Sequence, residues 1–135
     1  MFNMLVVDDN IYFAKVLINS ISQSNSDLRL CMIATDGEEA LNAINTQKID
    51  LILLDLKIPL YDGINILEYL IKNNKEVYFN SVIVISGENE MILKIKDNPF
   101  VYSCVSKGIG MENILKEINQ LVSLKKPALE KERQN

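Results

Sequence analysis

The chain has 135 residues, of which 48% are hydrophobic and 24% charged, and these values predict a single globular domain with a core of its own. Acidic residues outnumber basic ones by 18 to 14, for a formal net charge of −4, which disfavours nucleic acid as a direct partner because phosphates need basic surface. The chain has no histidine, so the commonest general base and metal ligand is excluded.

The first predicted strand is the apolar run Met4–Val7, and the polar residues Asp8–Asn10 follow it directly. A short apolar run that ends in acidic turn residues is typical of a buried strand. The next segment, residues 11–23, has apolar side chains at helical spacing, and Asn10 is a suitable N-cap for it. The chain therefore opens with a strand and an amphipathic helix, joined by an acidic loop.

A second strand and helix lead to the most informative run of the chain. Leu28–Ala34 is apolar enough for a strand, and the acidic residues in Thr35–Glu39 favour the first turn of a helix. The run Ile49–Leu54 then carries almost unbroken aliphatic side chains into Asp55. It predicts a strand buried on both faces, and Pro59 must lie in the loop after it because proline cannot donate to a ladder. Asp55 is therefore expected at the carboxyl end of a central strand.

The remaining elements continue the alternation of strands and helices. They are a helix over residues 63–73, the strand Ser81–Ser86, a helix over 88–97, the strand Val101–Val105 and a helix over 111–124. Residues 125–135 are highly charged and include Pro127, a helix breaker. We therefore expect a domain of residues 1–124, followed over 125–135 by a charged tail or the start of a linker.

Five strands alternating with five helices call for a parallel sheet with helices on both faces, because each right-handed crossover packs its helix against the sheet. We predict one doubly wound α/β domain, flavodoxin-like, with strand order 2-1-3-4-5. Strands one and three are then neighbours, and their carboxyl ends form the edge where open α/β sheets bind ligands. Asp8, Asp9 and Asp55 are expected to meet there.

The residues expected at this edge predict a chemistry. Three carboxylates held together repel one another, and oxygen-only ligands favour Mg²⁺ as the cation that relieves the repulsion. Ser86 and Lys107 end the fourth and fifth strands and add a hydroxyl and an ammonium. Taken singly, Asp8–Asp9 are better explained as a helix cap, Lys107 as a solvated loop lysine and Ser86 as an ordinary strand-end serine. Together they predict phosphoryl transfer to an aspartate, which forms an acyl phosphate.

The same residues resemble the receiver domains of two-component response regulators, over residues 3 to about 124. The matching positions are Asp8–Asp9, Asp55, Pro59, Gly63, Ser86–Gly87, Lys107 and the helix opening Thr35–Leu41. The resemblance implies that Asp55 accepts a phosphoryl group from the phosphohistidine of a partner. The Mg²⁺ ligands it implies are the carboxylates of Asp8, Asp9 and Asp55 and the backbone carbonyl of Lys57. Ser86 and Lys107 would contact the phosphoryl group and shift the surface of the fourth strand, fourth helix and fifth strand.

The resemblance also implies a signalling switch and not an enzyme with a separate substrate. The expected partners are a sensor histidine kinase or phosphotransfer protein and a downstream protein target, without direct contact to nucleic acid or a membrane. Cys31 and Cys104 are interpreted as buried thiols of a reducing compartment, and no apolar run could cross a bilayer, so we expect a cytoplasmic location. We favour a stand-alone receiver over the receiver of a longer regulator whose linker begins at Lys125.

The chain departs from the family pattern at three positions, where Cys104 replaces a common aromatic residue, Gly108 a proline and Ser86 a threonine. Tyr102 is expected on the same side of its strand as Cys104, because side chains alternate along a strand. The serine keeps the hydroxyl, so its role is expected to persist. We also expect Lys57 and Glu88 to pair across the pocket mouth and prolong the lifetime of the phosphoryl group.

Three other functions fit the sequence less well. A phosphatase of the haloacid dehalogenase type would need a second aspartate two residues after its nucleophile, but Asp8–Asn10 has no such spacing. A flavodoxin-like electron carrier would need a phosphate-binding loop after the first strand, where this chain is acidic. A receiver that only docks, without accepting phosphate, would not need the complete acidic cluster.

Overall fold

The computed structural model describes residues 2–24, 27–87, 93 and 95–134, with side chains described as far as residue 126 apart from Leu30. The strands are β1 Phe2–Val7, β2 Leu28–Ala34, β3 Leu51–Leu54, β4 Val82–Ser86 and β5 Val101–Ser106. The helices are α1 Ile11–Ser24, α2 Gly37–Thr46, α3 Gly63–Lys72 and a C-terminal helix Met111–Gln134. Short 3₁₀ helices cover Glu76–Tyr78 and Lys107–Ile109.

The five strands form one parallel sheet in the order β2-β1-β3-β4-β5, which confirms the predicted topology. The direction of the strand order reverses at β1, which pairs with β2 on one side and with β3 on the other. Val7 pairs with Leu54 at the end of the β1–β3 ladder. The backbone N–H of Asp55 still donates to the Val7 carbonyl at 2.9 Å, so Asp8 and Asp55 leave the sheet side by side.

Two apolar layers cover the sheet, which explains why the central strands are apolar on both faces. On one face, α2 and α3 bury residues such as Ala40, Ile66 and Leu70 against the sheet. On the other face, α1 and the C-terminal helix contribute residues such as Leu17 and Ile118. All four side chains of β3 are buried, as the unbroken aliphatic run predicts. No helix within the described part of the chain is long and apolar enough to cross a membrane.

Polar side chains fix where the helices begin. Asp36 caps α2, and its carboxylate accepts a hydrogen bond of 2.8 Å from the backbone of Glu39, which confirms the helix opening expected at Thr35–Glu39. α3 begins with a capping box, in which Asp62 and Asn65 each accept from the backbone N–H of the other. Both caps satisfy amide groups that a helix N-terminus otherwise leaves unpaired.

The predicted end of the last helix at residue 124 is wrong, because the C-terminal helix continues without a break to Gln134. Pro127 lies inside it and has no N–H to donate to the preceding turn. The residues that follow, Ala128-Leu129-Glu130-Lys131, are strong helix formers, and they extend the helix despite that missing hydrogen bond. Most of the helix expected over residues 88–97 lies outside the described residues, as does Glu88, so its predicted pairing with Lys57 stays a prediction.

The expectation that Tyr102 and Cys104 share one face of β5 is also wrong. Cys104 packs against the layer of α2 and α3, whereas Tyr102 packs against the layer of α1 and the C-terminal helix. The pairing with β4 explains this, since Val82 pairs with Val101 but the next residue, Ile83, pairs with Ser103. An extra residue of this kind interrupts the alternation of side chains along the strand.

Candidate functional site

Three aspartates converge at the carboxyl edge of the sheet, where the sequence predicts them. Asp8 and Asp9 follow β1, and Asp55 follows β3. One carboxylate oxygen from each lies within 4.8 Å of those of the other two. Asp8 and Asp55 are buried, with 2% and 6% of their surface exposed, while Asp9 is exposed. The cluster combines two carboxylates shielded from solvent with a third that faces it, and it could hold a divalent cation.

Lys107 reaches into this cluster from the 3₁₀ helix after β5. Its Nζ atom lies 2.9 Å from Oδ2 of Asp55 and 3.0 Å from Oδ2 of Asp8. The second oxygen of each aspartate accepts a backbone N–H, from Lys57 at 3.1 Å to Asp55 and from Asn10 at 2.9 Å to Asp8. Each buried carboxylate is therefore held at both oxygens, and one ammonium bridges the two.

Burial and neighbouring charges shift the pKa values of Asp55 and Lys107 in opposite directions. Burial raises the pKa of the Asp55 carboxyl above its ordinary value, and the hydrogen bond and charge of Lys107 offset only part of this shift. For Lys107, burial by itself would lower the pKa, but the hydrogen bonds and charges of Asp55 and Asp8 outweigh it, so the pKa is raised. Lys107 is therefore a firmly protonated cation at neutral pH.

A pocket of 330 Å³ opens beside the cluster and is lined by Asp9, Asp55, Lys57, Ser86, Gly87 and Lys107. Ser86 is the last residue of β4 and is fully buried, so its position is set by the sheet and not by a loop. A carboxylate, a hydroxyl and an ammonium thus border one small cavity. The structure brings together all six residues that the sequence predicts for the site, namely Asp8, Asp9, Asp55, Lys57, Ser86 and Lys107.

The loop between β3 and α3 is packed too tightly for any side chain at Gly63. A Cβ atom at this position would lie 2.7 Å from Cα of Leu56 and 2.9 Å from the carbonyl oxygen of Asp55. The backbone N–H of Gly63 also donates to the Leu56 carbonyl at 2.8 Å. Gly63 therefore lets the start of α3 rest directly on the backbone that carries Asp55.

Phe13 is a feature of the site that the sequence does not reveal. This residue lies in the first turn of α1, and its ring centroid is 4.9 Å from Nζ of Lys107. In the sequence it is only one residue of the amphipathic helix over residues 11–23, and no spacing relates it to a lysine so far along the chain. The contact arises because the start of α1 lies beside the 3₁₀ helix that follows β5 and begins at Lys107.

Comparison with known families agrees with this geometry. A model of the response regulator receiver domain matches residues 4–119, a range that includes every residue of the pocket. The chain belongs to this family. Its membership supports a signalling role for the chain, and it confirms the resemblance that the order of the aspartates, Ser86 and Lys107 indicates.

The receiver domain matches parts of longer proteins. The protein-glutamate methylesterase/protein-glutamine glutaminase 1 of Methanospirillum hungatei is 37% identical over 68 residues, which make up 50% of this chain and 20% of that protein. The DNA-binding transcriptional activator EvgA of Escherichia coli K12 is 28% identical over 117 residues, 86% of this chain and 55% of that protein. The chain therefore spans between a fifth and about half of the length of these relatives.

Solved structures of receiver domains have the same fold. The receiver domain of the Francisella response regulator 1452 matches with a TM-score of 0.76 at 26% identity, over 93% of this chain and 99% of that one. The signal receiver domain of a putative Luxo repressor protein from Vibrio parahaemolyticus gives a TM-score of 0.78 at 20% identity, over 99% and 98% of the two chains. At that lower identity the likeness concerns the fold alone.

Proposed function

We propose that this receiver domain is a phosphorylation-dependent switch in which Asp55 accepts the phosphoryl group. One observation carries the proposal above all others. The Lys107 ammonium lies 2.9 Å from Asp55 and 3.0 Å from Asp8, at the edge of a pocket that also contains Ser86. A protonated lysine and a hydroxyl beside a buried carboxylate are the groups that stabilise a phosphoryl group and the charge that develops on it during transfer.

The donor atoms of the pocket suit Mg²⁺. The three carboxylates of the cluster offer only oxygen atoms, and hard cations such as Mg²⁺ prefer oxygen ligands. The ligands we propose are the carboxylates of Asp8, Asp9 and Asp55 and the backbone carbonyl of Lys57. When bound, the ion would neutralise charge on the phosphoryl oxygens.

The chain's own residues would divide the remaining work. A carboxylate oxygen of Asp55 attacks phosphorus while the bond from phosphorus to the donor nitrogen breaks, so the product is an acyl phosphate on Asp55 and a free donor. The Lys57 N–H, at 3.1 Å from Oδ1 of Asp55, orients the carboxylate. Lys107 and the Ser86 hydroxyl then bind the new phosphoryl oxygens.

The output of the switch would be a change in the surface around β4, the segment after it and β5. Ser86 ends β4 and Lys107 directly follows β5, so a phosphoryl group that draws both inward would pull on both strand ends. The partners we propose are a sensor histidine kinase or phosphotransfer protein on the donor side and a protein target on the output side. We propose that the domain acts in the cytoplasm without direct contact to nucleic acid or a membrane.

The test is phosphorylation by a small-molecule donor, read by intact mass. The protein is incubated with acetyl phosphate and Mg²⁺, and we expect a mass gain of one phosphoryl group. Asp55→Asn should abolish the gain. Asp97→Asn, which changes an exposed aspartate outside the pocket, should retain it. Borohydride reduction followed by peptide mapping then locates the acyl phosphate.

Two results would overturn this function. A folded wild-type protein that gains no phosphoryl group would be a receiver used only for docking. Repeated release of phosphate, with many donor molecules consumed per chain at a rate typical of enzymes, would instead favour a phosphatase.

A further inference from the structure

The ring of Phe13 faces the same ammonium group that bridges the buried aspartates. Its centroid is 4.9 Å from Nζ of Lys107, inside the distance of about 6 Å at which a cation is attracted to an aromatic face. The lysine side chain is 31% exposed and has a flexible stem, so the two carboxylates alone do not enclose it. The ring supplies a third contact from the α1 side.

Phe13 is itself held in place by the residues of the site. Its backbone N–H donates to Oδ1 of Asn10 at 3.0 Å, and the Asn10 N–H donates to Oδ1 of Asp8 at 2.9 Å. The ring is partly buried against the core layer of α1 and the C-terminal helix. A closed circuit of contacts therefore runs from Asp8 through Asn10 and Phe13 to Lys107 and back to Asp8.

The ring contact differs from the carboxylate contacts in one respect. Asp8 and Asp55 provide the oxygens that the proposed Mg²⁺ ion and phosphoryl group would also use, so Lys107 must share them. An aromatic face attracts a cation but is no ligand for Mg²⁺, which binds oxygen. The contact with Phe13 can therefore persist when the carboxylates are engaged elsewhere.

We propose that Phe13 is a positioning residue, whose ring face keeps the Lys107 ammonium directed at Asp55 during phosphoryl transfer. This role rests on the proposed function of the pocket. The ring touches neither Asp55 nor the phosphoryl group and acts only through Lys107. It requires an aromatic ring at this position, and an aliphatic side chain of similar bulk would not replace it.

The first measurement is independent of phosphorylation. Protons above an aromatic face are shifted upfield in the NMR spectrum, so the Hε protons of Lys107 should be shifted in the wild type and in Phe13→Tyr. In Phe13→Leu the shift should disappear. The Hε protons of Lys116, which lines a groove on the C-terminal helix away from the pocket, serve as the internal control. An unshifted Lys107 in the wild type would overturn the proposal.

The second measurement is the rate of phosphorylation by acetyl phosphate with Mg²⁺. Phe13→Leu is expected to slow it by about 2–5-fold, the effect of losing one partly exposed cation–π contact, and Phe13→Tyr should recover most of the rate. The matched control is Tyr12→Leu, which removes a neighbouring aromatic side chain that is 80% exposed and should leave the rate unchanged. Thermal unfolding of each variant establishes that it is folded.

The outcomes separate the two proposals. A shifted Lys107 with an unchanged rate in Phe13→Leu would overturn the positioning role and leave the proposed function intact. The same holds if Phe13→Tyr is as slow as Phe13→Leu, because an aromatic face at this position would then not be enough to restore the rate. A wild type that is never phosphorylated, although Lys107 is shifted, would refute the function of the pocket and with it the role of Phe13.

Discussion

Gly63→Ala should destabilise the domain by acting on the backbone beneath Asp55. The added Cβ would lie 2.7 Å from Cα of Leu56, 2.8 Å from its Cδ2 and 2.9 Å from the Asp55 carbonyl oxygen. Comfortable carbon contacts are about 3.5–4.0 Å, so each distance is short by more than about 0.5 Å. Two of the three atoms belong to the backbone and cannot rotate away.

The magnitude follows from the cost of overpacking. Forcing a methyl group into a closely packed site costs about 1–3 kcal/mol, and the better helix propensity of alanine returns at most about 1 kcal/mol. Because two of the three close atoms are backbone, we take the upper end of that cost, about 3 kcal/mol. The expected net loss is then about 2 kcal/mol, which for a domain of this size lowers Tm by about 5–10 °C. The backbone of Asp55 must move to make room for the added methyl group, so phosphorylation by acetyl phosphate should slow as well.

The assay is urea unfolding followed by far-UV circular dichroism, since the chain has no tryptophan to serve as a fluorescent probe. The control is Gly87→Ala, where an added Cβ meets no atom within 4 Å. Its free energy of unfolding should stay within about 0.5 kcal/mol of the wild type. If Gly63→Ala lost less than about 0.5 kcal/mol, or if both variants lost the same amount, the close approach would not be the reason for a glycine at this position.

Four further predictions concern the site and its supports. Because burial raises the pKa of Asp55, the ionised carboxylate opposes folding at every pH above the ordinary pKa of an aspartate. Asp55→Asn should therefore raise Tm at pH 7 in EDTA, with a gain that shrinks toward pH 3. An unchanged Tm at pH 7 and at pH 3 would contradict this prediction. Lys107→Met removes the cation that competes for the aspartates and should tighten Mg²⁺ binding in calorimetry by on the order of 10-fold, whereas weaker binding would refute the competition. Asp62→Ala removes the capping box of α3 and should cost about 1 kcal/mol in urea unfolding, against no loss for Asp97→Ala. Burial raises the pKa of Cys31 to about 12, so iodoacetamide at pH 8 should alkylate it only after unfolding; rapid labelling of the native protein would contradict that.

The sequence is sufficient to predict the sheet and the aspartate cluster because both depend on local patterns. The aliphatic side chains before Asp55 are all shielded from water only if the strand is buried on both faces. The acidic pair after Val7 ends a run of the same kind. Alternation of strands and helices then determines which strands are neighbours. Once β1 and β3 are adjacent, Asp8 and Asp55 must meet at one edge.

The features that the sequence does not predict depend on contacts between distant segments. The side on which Tyr102 lies is set by the register of β5 against β4, and an extra residue in one strand leaves no mark in the apolar pattern. The contact of Phe13 with Lys107 requires the start of α1 to lie beside the segment that follows β5, which is 94 residues later in the chain than Phe13. The helix through Pro127 shows a different limit, since a proline predicts the loss of one hydrogen bond but not whether its neighbours sustain the helix.

The continuous C-terminal helix carries any movement of its packed part to residue 134. A helix rises about 1.5 Å per residue, so residues 125–134 extend it by about 15 Å. Lys126, whose Nζ is 3.9 Å from Oδ2 of Asp27, marks a contact with the body of the domain near the start of this extension. A small change in the angle between this helix and the sheet therefore displaces residue 134 in proportion to the length of the extension. A rotation of the helix about its axis likewise turns the whole extension, which a flexible tail would not do.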